Sequence, residues 1–511
     1  MEKISKISDQ ALKNKSNKIL VMVGLMIGLI VAELDETVVN TAMPAIIRDL
    51  GGLSMYGWVA GIYMLTLSAF MPILGKLADL FSRKKVYLVS MALFIGGSII
   101  CGLSSSMTML LIGRGIQGLG AGGLMPLAMT ISSDLFPIEQ RAKVQAFIGP
   151  VMFIPILIGP LVGGFFVDQI SWHWIFFVNI PVGLAAVILL TIGLKEEVVH
   201  EKRKATIDWA GAVLLVAAII SLLITPVLVE NQGYTWNSPF IIGLICLGVI
   251  LIGFFIWVES KVVDPIVPLH LFRNRNILVL SLLVFTVGCG LMGSFSSFPF
   301  FAQNVLGLTP TESGYLTLPL MLGAVPTSII AGFLLTKVRY RELFIISFIM
   351  PVIGFYFFSK LNVDTTILQI IIYFFITGLG IGVMFGGDNL IVQESVEKKH
   401  EGIALATVPL FQSIGVTVGV SGFGTLLSST LTSKLNGISS QLPQSMKENM
   451  NSLIAGGIPE GLTPELFMQI KILFIESFQH LYIYAFMILI ITPVLCCFLK
   501  KEVLSSKLEE L

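Results

Sequence analysis

Glu33, Asp35 and Glu36 lie in one hydrophobic segment, Val31-Ala-Glu-Leu-Asp-Glu-Thr-Val-Val-Asn40-Thr-Ala-Met-Pro44. A carboxylate in a bilayer is costly unless protein, water or a partner charge meets it, so these acids mark a polar interior. An acid in that setting can also take up and release a proton, the chemistry of an ion-coupled carrier. Glu33 and Asp35 project about 200° apart on a helix. Glu33, Thr37 and Asn40 therefore share a stripe, and Asp35 faces elsewhere. Glu36 lies nearer the outer surface and is expected to be solvated. Arg114 is the one basic residue clearly inside an apolar stretch, at a depth comparable to Asp35. A buried guanidinium without an acidic partner is prohibitive, so a pairing with Asp35 or Glu33 is expected. Snorkelling of Arg114 to the outer headgroups is the competing reading. Gln117, one turn along, can extend the polar network. Asp388 is the acid set deepest in a later apolar stretch and is read as a cavity or proton-path residue.

The chain around these residues has a membrane composition. It is 55% hydrophobic and 12% charged, with a mean hydropathy of +0.90, outside the range of soluble domains. The 32 basic and 31 acidic residues nearly cancel, which argues against nucleic acid as a partner. Cys101, Cys246, Cys289, Cys496 and Cys497 are scattered in or beside apolar segments, with no disulfide framework or metal-ligand spacing. Glycines 118 to 123 lack the following Lys-Ser/Thr of a nucleotide-binding loop. With no Ser-His-Asp set, metal cluster or sizeable soluble part in view, an enzyme or a sensor is disfavoured. The polar, basic start precedes an uncleaved first span.

Windows of about 20 apolar residues suffice to cross the hydrocarbon core. They recur at 18–43, 55–78, 86–104, 108–131, 143–168, 172–194, 208–229, 239–258, 277–301, 313–336, 342–359, 366–391, 404–429 and 478–499, fourteen in all. With both termini in the cytoplasm, 26 of the 32 Lys and Arg residues fall on the inner side and five in outer loops. That asymmetry supports the count. Trp58, Trp172, Trp174, Trp209, Trp236 and Trp257 fall at span ends, as an interfacial belt requires. Residues 430–477 read as a long outer loop with one or two short helices, a structural cap more than a substrate gate. A Gly-led basic turn after span two (Gly75 to Lys84) is echoed after span ten (Gly332 to Arg341). The expected architecture is all-α. A cytoplasmic tail (1–17) precedes a six-helix bundle (18–194) and an inserted pair, helices seven and eight, with flanking loops (195–276). A second, pseudo-symmetric six-helix bundle (277–499) and a cytoplasmic tail (500–511) follow. Such halves rock about a site near the midplane.

Four blocks in order make the chain similar to the major facilitator superfamily and, within it, to the 14-span drug:proton antiporters of the EmrB/QacA type. Leu34-Asp35-Glu-Thr37-Val-Val-Asn40-Thr-Ala42-Met-Pro44 resembles that group's span-one signature. Gly75, Asp79, Arg83 and Lys84 match the superfamily's turn after span two, although Leu80 and Ser82 replace its middle Arg and second Gly. Arg114-Gly-Ile-Gln117-Gly-Leu-Gly120 resembles its span-four block. Gly149-Pro150 and Gly159-Pro160-Leu-Val-Gly163-Gly164, followed by Trp172-His-Trp174 and Asn179-Ile-Pro181, resemble the span-five motif associated with exporters. His173 and Gln412 stand where relatives carry Arg.

The resemblance implies a bacterial cell-membrane antiporter that expels amphipathic, cationic drugs as protons enter, giving antibiotic resistance. No cofactor is expected beyond the proton gradient. The partners are small amphipathic molecules, protons and lipid, with no nucleotide. Asp35, Glu33 and Arg114 would couple protons. Asn40, Gln117, Asp388, Phe295 and Phe298 would line the cavity, although core packing is the commoner fate of such phenylalanines. Asp79, Arg83 and Gly75 would latch the halves. Expected spans ten and thirteen hold no acid, which disfavours dications. A dedicated exporter of one endogenous metabolite, lipid or antibiotic is the alternative on the same fold.

Overall fold

Long apolar stretches fold as helices because lipid offers no partner to a free backbone N–H or C=O. A computed structural model describes residues 17–50, 55–136, 140, 144, 151, 154–155, 158–159, 162–167, 169–194, 208–232, 234–262, 265–308, 310–437 and 464–503. The chain runs through α1 (Lys18–Leu50), α2 (Tyr56–Leu80), α3 (Arg83–Gly102) and α4 (Met107–Leu135). Then come α5 (Trp174–Gly193), α6 (Trp209–Gln232) and α7 (Pro239–Glu259). The later helices are α8 (Arg275–Asn304), α9 (Glu312–Leu334), α10 (Tyr340–Phe358) and α11 (Ile367–Ser395). The last two are α12 (Glu401–Gly437) and α13 (Pro464–Cys496). Polar caps set several starts: Ser82, Ser106 and Ser238 each accept from the N–H three residues on, and Thr366 with Gln369 closes a capping box.

Ten helices among the described residues are long and apolar enough to cross a membrane, namely α2, α3, α5 and α7 to α13. The other three fall where further spans are expected. Of these, α1 carries four acids, α4 carries Arg114, Gln117 and a run of glycines, and the apolar part of α6 is the shorter stretch Trp209–Thr225. The fifth expected span crosses residues described only in part, of which 162–167 are helical; Gly149, Pro150 and Pro160 lie outside the described residues.

Two bundles meet along a seam. On one side α3 and α2 pack on α4, and α1 packs on α5; on the other α9 and α10 pack on α11, while α8 packs on α12. The seam is α12 against α2 and α4. The hairpin of α6 and α7 is pinned on it, because α6 packs against both α2 and α12.

Hydropathy misjudges three helix ends. Expected as one long outer loop, residues 430–477 contain the end of α12 and the first four turns of α13. The cause is amphipathicity: Ile470, Phe474 and Ile475 are buried, while Lys434 on α12 pairs with Glu476 on α13. The start of α12 also lies earlier than expected, on Glu401, which is buried. An acid does therefore belong to the thirteenth expected helix, at its end and not in its middle. Similarly, Glu312 lies at the exposed start of α9.

Candidate functional site

Asp35 is 1% exposed and takes hydrogen bonds from two other helices. From α4, Arg114 Nη1 donates to Asp35 Oδ2 as an ion pair. Gln117 Nε2, one turn on, donates to Asp35 Oδ1 at 2.6 Å, and from α5 Asn179 Nδ2 donates to the same oxygen at 2.7 Å. Ser98 Oγ on α3 accepts from both amides, at 2.9 Å from Gln117 and 3.3 Å from Asn179. Arg114 is held on its other sides too. Its Nε donates to the Val59 carbonyl at 3.2 Å and its Nη1 to Gln117 Oε1 at 2.8 Å. Its guanidinium lies 4.2 Å from the centre of the Tyr63 ring, a cation–π contact. Tyr63 Oη in turn donates to the Ala32 carbonyl at 3.2 Å. This shell replaces the hydration that burial strips from both charges. Snorkelling is excluded, since Arg114 is itself 1% exposed.

Glycine makes the shell possible. A Cβ on Gly97 of α3 would lie 2.5 Å from the Gln117 backbone nitrogen, so only a bare backbone lets Ser98 reach the amide of Gln117.

The stripe of Glu33 faces away from this shell. Glu33 and Glu36 are half-buried and contribute none of the hydrogen bonds around Asp35. Thr37 Oγ1, on the same stripe, donates to the Pro155 carbonyl at 3.1 Å. A Cβ on Gly159 would collide with Thr37, and one on Gly163 would lie 3.1 Å from Thr41 Cβ. Those two glycines of the exporter-like motif thus pack against α1, whereas Gly164 faces open space. Asn40 belongs to α1, but its side chain lies outside the described residues.

A second constellation crosses the seam at the end carrying the Leu80–Arg83 turn. Asp79 caps the start of α12: Gly402 N donates to its Oδ1 at 2.9 Å and Ile403 N to its Oδ2 at 3.0 Å. The unpaired N–H groups and positive dipole end of a helix favour such a carboxylate. Arg83 lies 3.8 Å from Asp79, pairs with Asp134 at the end of α4, and donates to the Thr130 carbonyl at 3.3 Å. Lys398, just before α12, meets the other oxygen of Asp134 at 3.2 Å. Gly75 permits the approach, since a Cβ there would lie 2.6 Å from Ala406 Cβ and 2.7 Å from the Gly402 carbonyl.

The remaining candidates lie apart from both constellations. Asp388, buried on α11, accepts from Asn389 N at 2.7 Å, and no described hydrogen bond or ion pair links it to Asp35. Phe298 is fully buried against Phe374 and Phe358, and Phe295 stacks on Phe355 at 5.0 Å. Packing within the second bundle is what the structure gives these two rings.

The sequence marks Asn179 only as part of the exporter-like block, without a role at Asp35, and does not single out Ser98, Tyr63, or Asp134 and Lys398 at the seam. Asn179 had a usable signal, because an amide in an apolar helix incurs the same cost that singled out Asp35. Ser98, Tyr63 and the two seam residues carried no comparable signal.

The sequence matches the family model of the Major Facilitator Superfamily over residues 25–420. It is 37% identical to the multidrug transporter protein MdtP of Bacillus subtilis, covering 89% of this chain and 84% of that one. It is 38% identical to multidrug resistance protein 3 of the same organism, covering 83% and 82%. Among solved structures, the human organic anion transporter MFSD10 superposes with a TM-score of 0.60 over 92% of this chain and 99% of that one, at 13% identity, a likeness of fold alone.

Proposed function

We propose that this chain, which belongs to the Major Facilitator Superfamily, is a fourteen-span, proton-coupled antiporter that exports lipophilic cationic drugs by alternating access. Family and fold make it a multi-pass membrane transporter and not an enzyme. The finer reading places both termini in the cytoplasm of a bacterial cell. The names of its Bacillus relatives support multidrug efflux.

The observation that carries the proton reading is the buried Asp35, whose donors come from α4 and α5. Any movement that parts α1 from α4 removes Arg114 and Gln117 from the carboxylate together, and so changes how well a proton competes for it. Proton occupancy and conformation are thereby linked. The membrane potential adds about 2.3 kcal/mol per inward-moving charge per 100 mV. In this scheme Asp79 and Arg83 hold one state by tying α2 to α12, at a distance from substrate.

The deciding experiment is efflux from everted vesicles across a chemically broad panel, with and without a pH gradient. Broad export that collapses with the gradient is expected. Export indifferent to the gradient overturns the coupling, and transport confined to one compound favours the dedicated exporter.

A further inference from the structure

The hairpin of α6 and α7 has no part in the scheme above, yet two buried carboxylates meet at its base. Asp208 caps α6, with its Oδ1 accepting from Gly211 N at 2.8 Å. Glu259 ends α7, with its Oε1 accepting from Ile266 N at 3.0 Å and Val267 N at 3.4 Å. Asp208 is 8% exposed and Glu259 4%. Each keeps a second oxygen, Oδ2 and Oε2, that is buried without a hydrogen-bond partner. The two acids converge on one spot. A Cβ on Gly211 would collide with Asp208 Oδ2 and lie 2.9 Å from Glu259 Oε1, so the space above that glycine belongs to the carboxylates. Asp208 also lines a small cavity with Lys76, Ile73, Leu77, Leu80 and Ile266. That cavity lies between the hairpin and α2, the helix that carries Gly75 and Asp79.

We propose that Asp208 and Glu259 together form a second proton-binding site, holding one proton between them in this conformation. Two ionised carboxylates at this spot would repel each other while their spare oxygens lacked donors, a costly arrangement. One proton lowers both costs, by cancelling a charge and turning one carboxylate into a donor for the other, with Asp208 Oδ2 and Glu259 Oε1 the two oxygens that share the space above Gly211. The step is only the protonation of a carboxylate oxygen. Charges on the elements packed around the pair divide in two. Lys76 on α2 acts on Glu259, whereas Asp79 on α2 and Lys398 and Glu401 at the head of α12 act around Arg83 and Asp134. Because Lys76 follows Gly75 at the tight contact with α12, loss of the proton would change the pull on α2 itself. This site is independent of Asp35, and its test needs no transport.

The test uses full-length protein in nanodiscs, unfolded by heat at a series of pH values and followed by tryptophan fluorescence. Asp208→Asn keeps an N-cap acceptor, and Glu259→Gln keeps an acceptor for Ile266 and Val267. A proton bound in the folded state and released on unfolding makes stability fall as pH rises. Each variant should therefore lose one proton's worth of that slope relative to wild type, and gain stability on the alkaline side. Lys76→Met should carry the loss of stability to higher pH. Infrared difference spectra should lack one protonated-carboxyl band in each carboxylate variant. Should Asp208→Asn fail to fold, Glu259→Gln reads the same quantity. Slopes parallel to wild type, or an unchanged carboxyl band, would overturn the site.

Discussion

Asp35 and Arg114 are both buried, pair with each other and share Gln117 as a partner, so removing either strands a charge in the protein interior. Loss of one member of a buried pair costs about 3–5 kcal/mol, whereas losing both together costs far less. Asp35→Asn and Arg114→Gln should each lower stability by roughly that amount, and the double variant should recover most of it. Thermal unfolding of the three proteins measures the coupling, and additive losses would refute a shared network. All three should lose gradient-driven efflux while still reaching the membrane, as vesicle assays and immunoblots can establish. Asn179→Ala is milder: it removes one hydrogen bond to a charged group, about 1.5–3 kcal/mol. A variant as stable as wild type would mean that Ser98 or water takes the place of the amide. The sequence already made the pairing the economical reading, because depth and cost leave Arg114 few alternatives. It could not show that Asn179 joins them, since position on a helix does not reveal which of several facing helices comes close.

Elements were legible wherever apolar length and a polar cap coincided, and less so where a helix is amphipathic. The first turns of α13 illustrate this: Lys471 and Glu476 depress the hydropathy that Phe474 and Phe478 would otherwise signal. The turn between α2 and α3 shows the reverse case. Its charges could be read as topology signals, but Asp79 could not, and the structure gives that residue the N-terminus of α12 as its partner. Asp79→Asn leaves the side-chain shape and halves its acceptors, so the contact between α2 and α12 should weaken while the pocket is untouched. Turnover should fall severalfold with little change in drug affinity, as binding to purified protein can establish. A large loss of affinity alongside turnover would move Asp79 into the binding site. Packing of α3 on α4 offers a separate check, since a side chain at Gly120 would meet the Phe94 nitrogen and Ser90 carbonyl head on. Gly120→Leu should cost several kcal/mol through overpacking, visible as a lower unfolding temperature. Wild-type stability in that variant would contradict the close approach.

At the scale of the whole molecule, the two bundles differ in what they bury. The first holds Asp35 against Arg114, with Glu33 and Glu36 beside them, and the second offers packed phenylalanines and a separate Asp388. Among the described residues, Glu33, Glu36 and Asp388 add acidic groups beyond the Asp35–Arg114 pair, which supports a negative bias in the proposed substrate path. Fold and family could be read from apolar periodicity and motif order; this bias could be read only roughly, because Glu401 lay just outside the expected thirteenth span. Lipophilic monocations such as ethidium should therefore be exported better than anions of similar size. Dications should fare worse than monocations, because burying a second charge without a partner is costly. Glu401 offers little relief, since it stands at the head of α12, where it acts on Asp79 and Arg83 across the seam. Competition among the three classes in vesicles at one pH ranks them directly. Equal handling of dications would mean that Glu401 or Asp388 faces the substrate in another state, and a preference for anions would refute the acidic path.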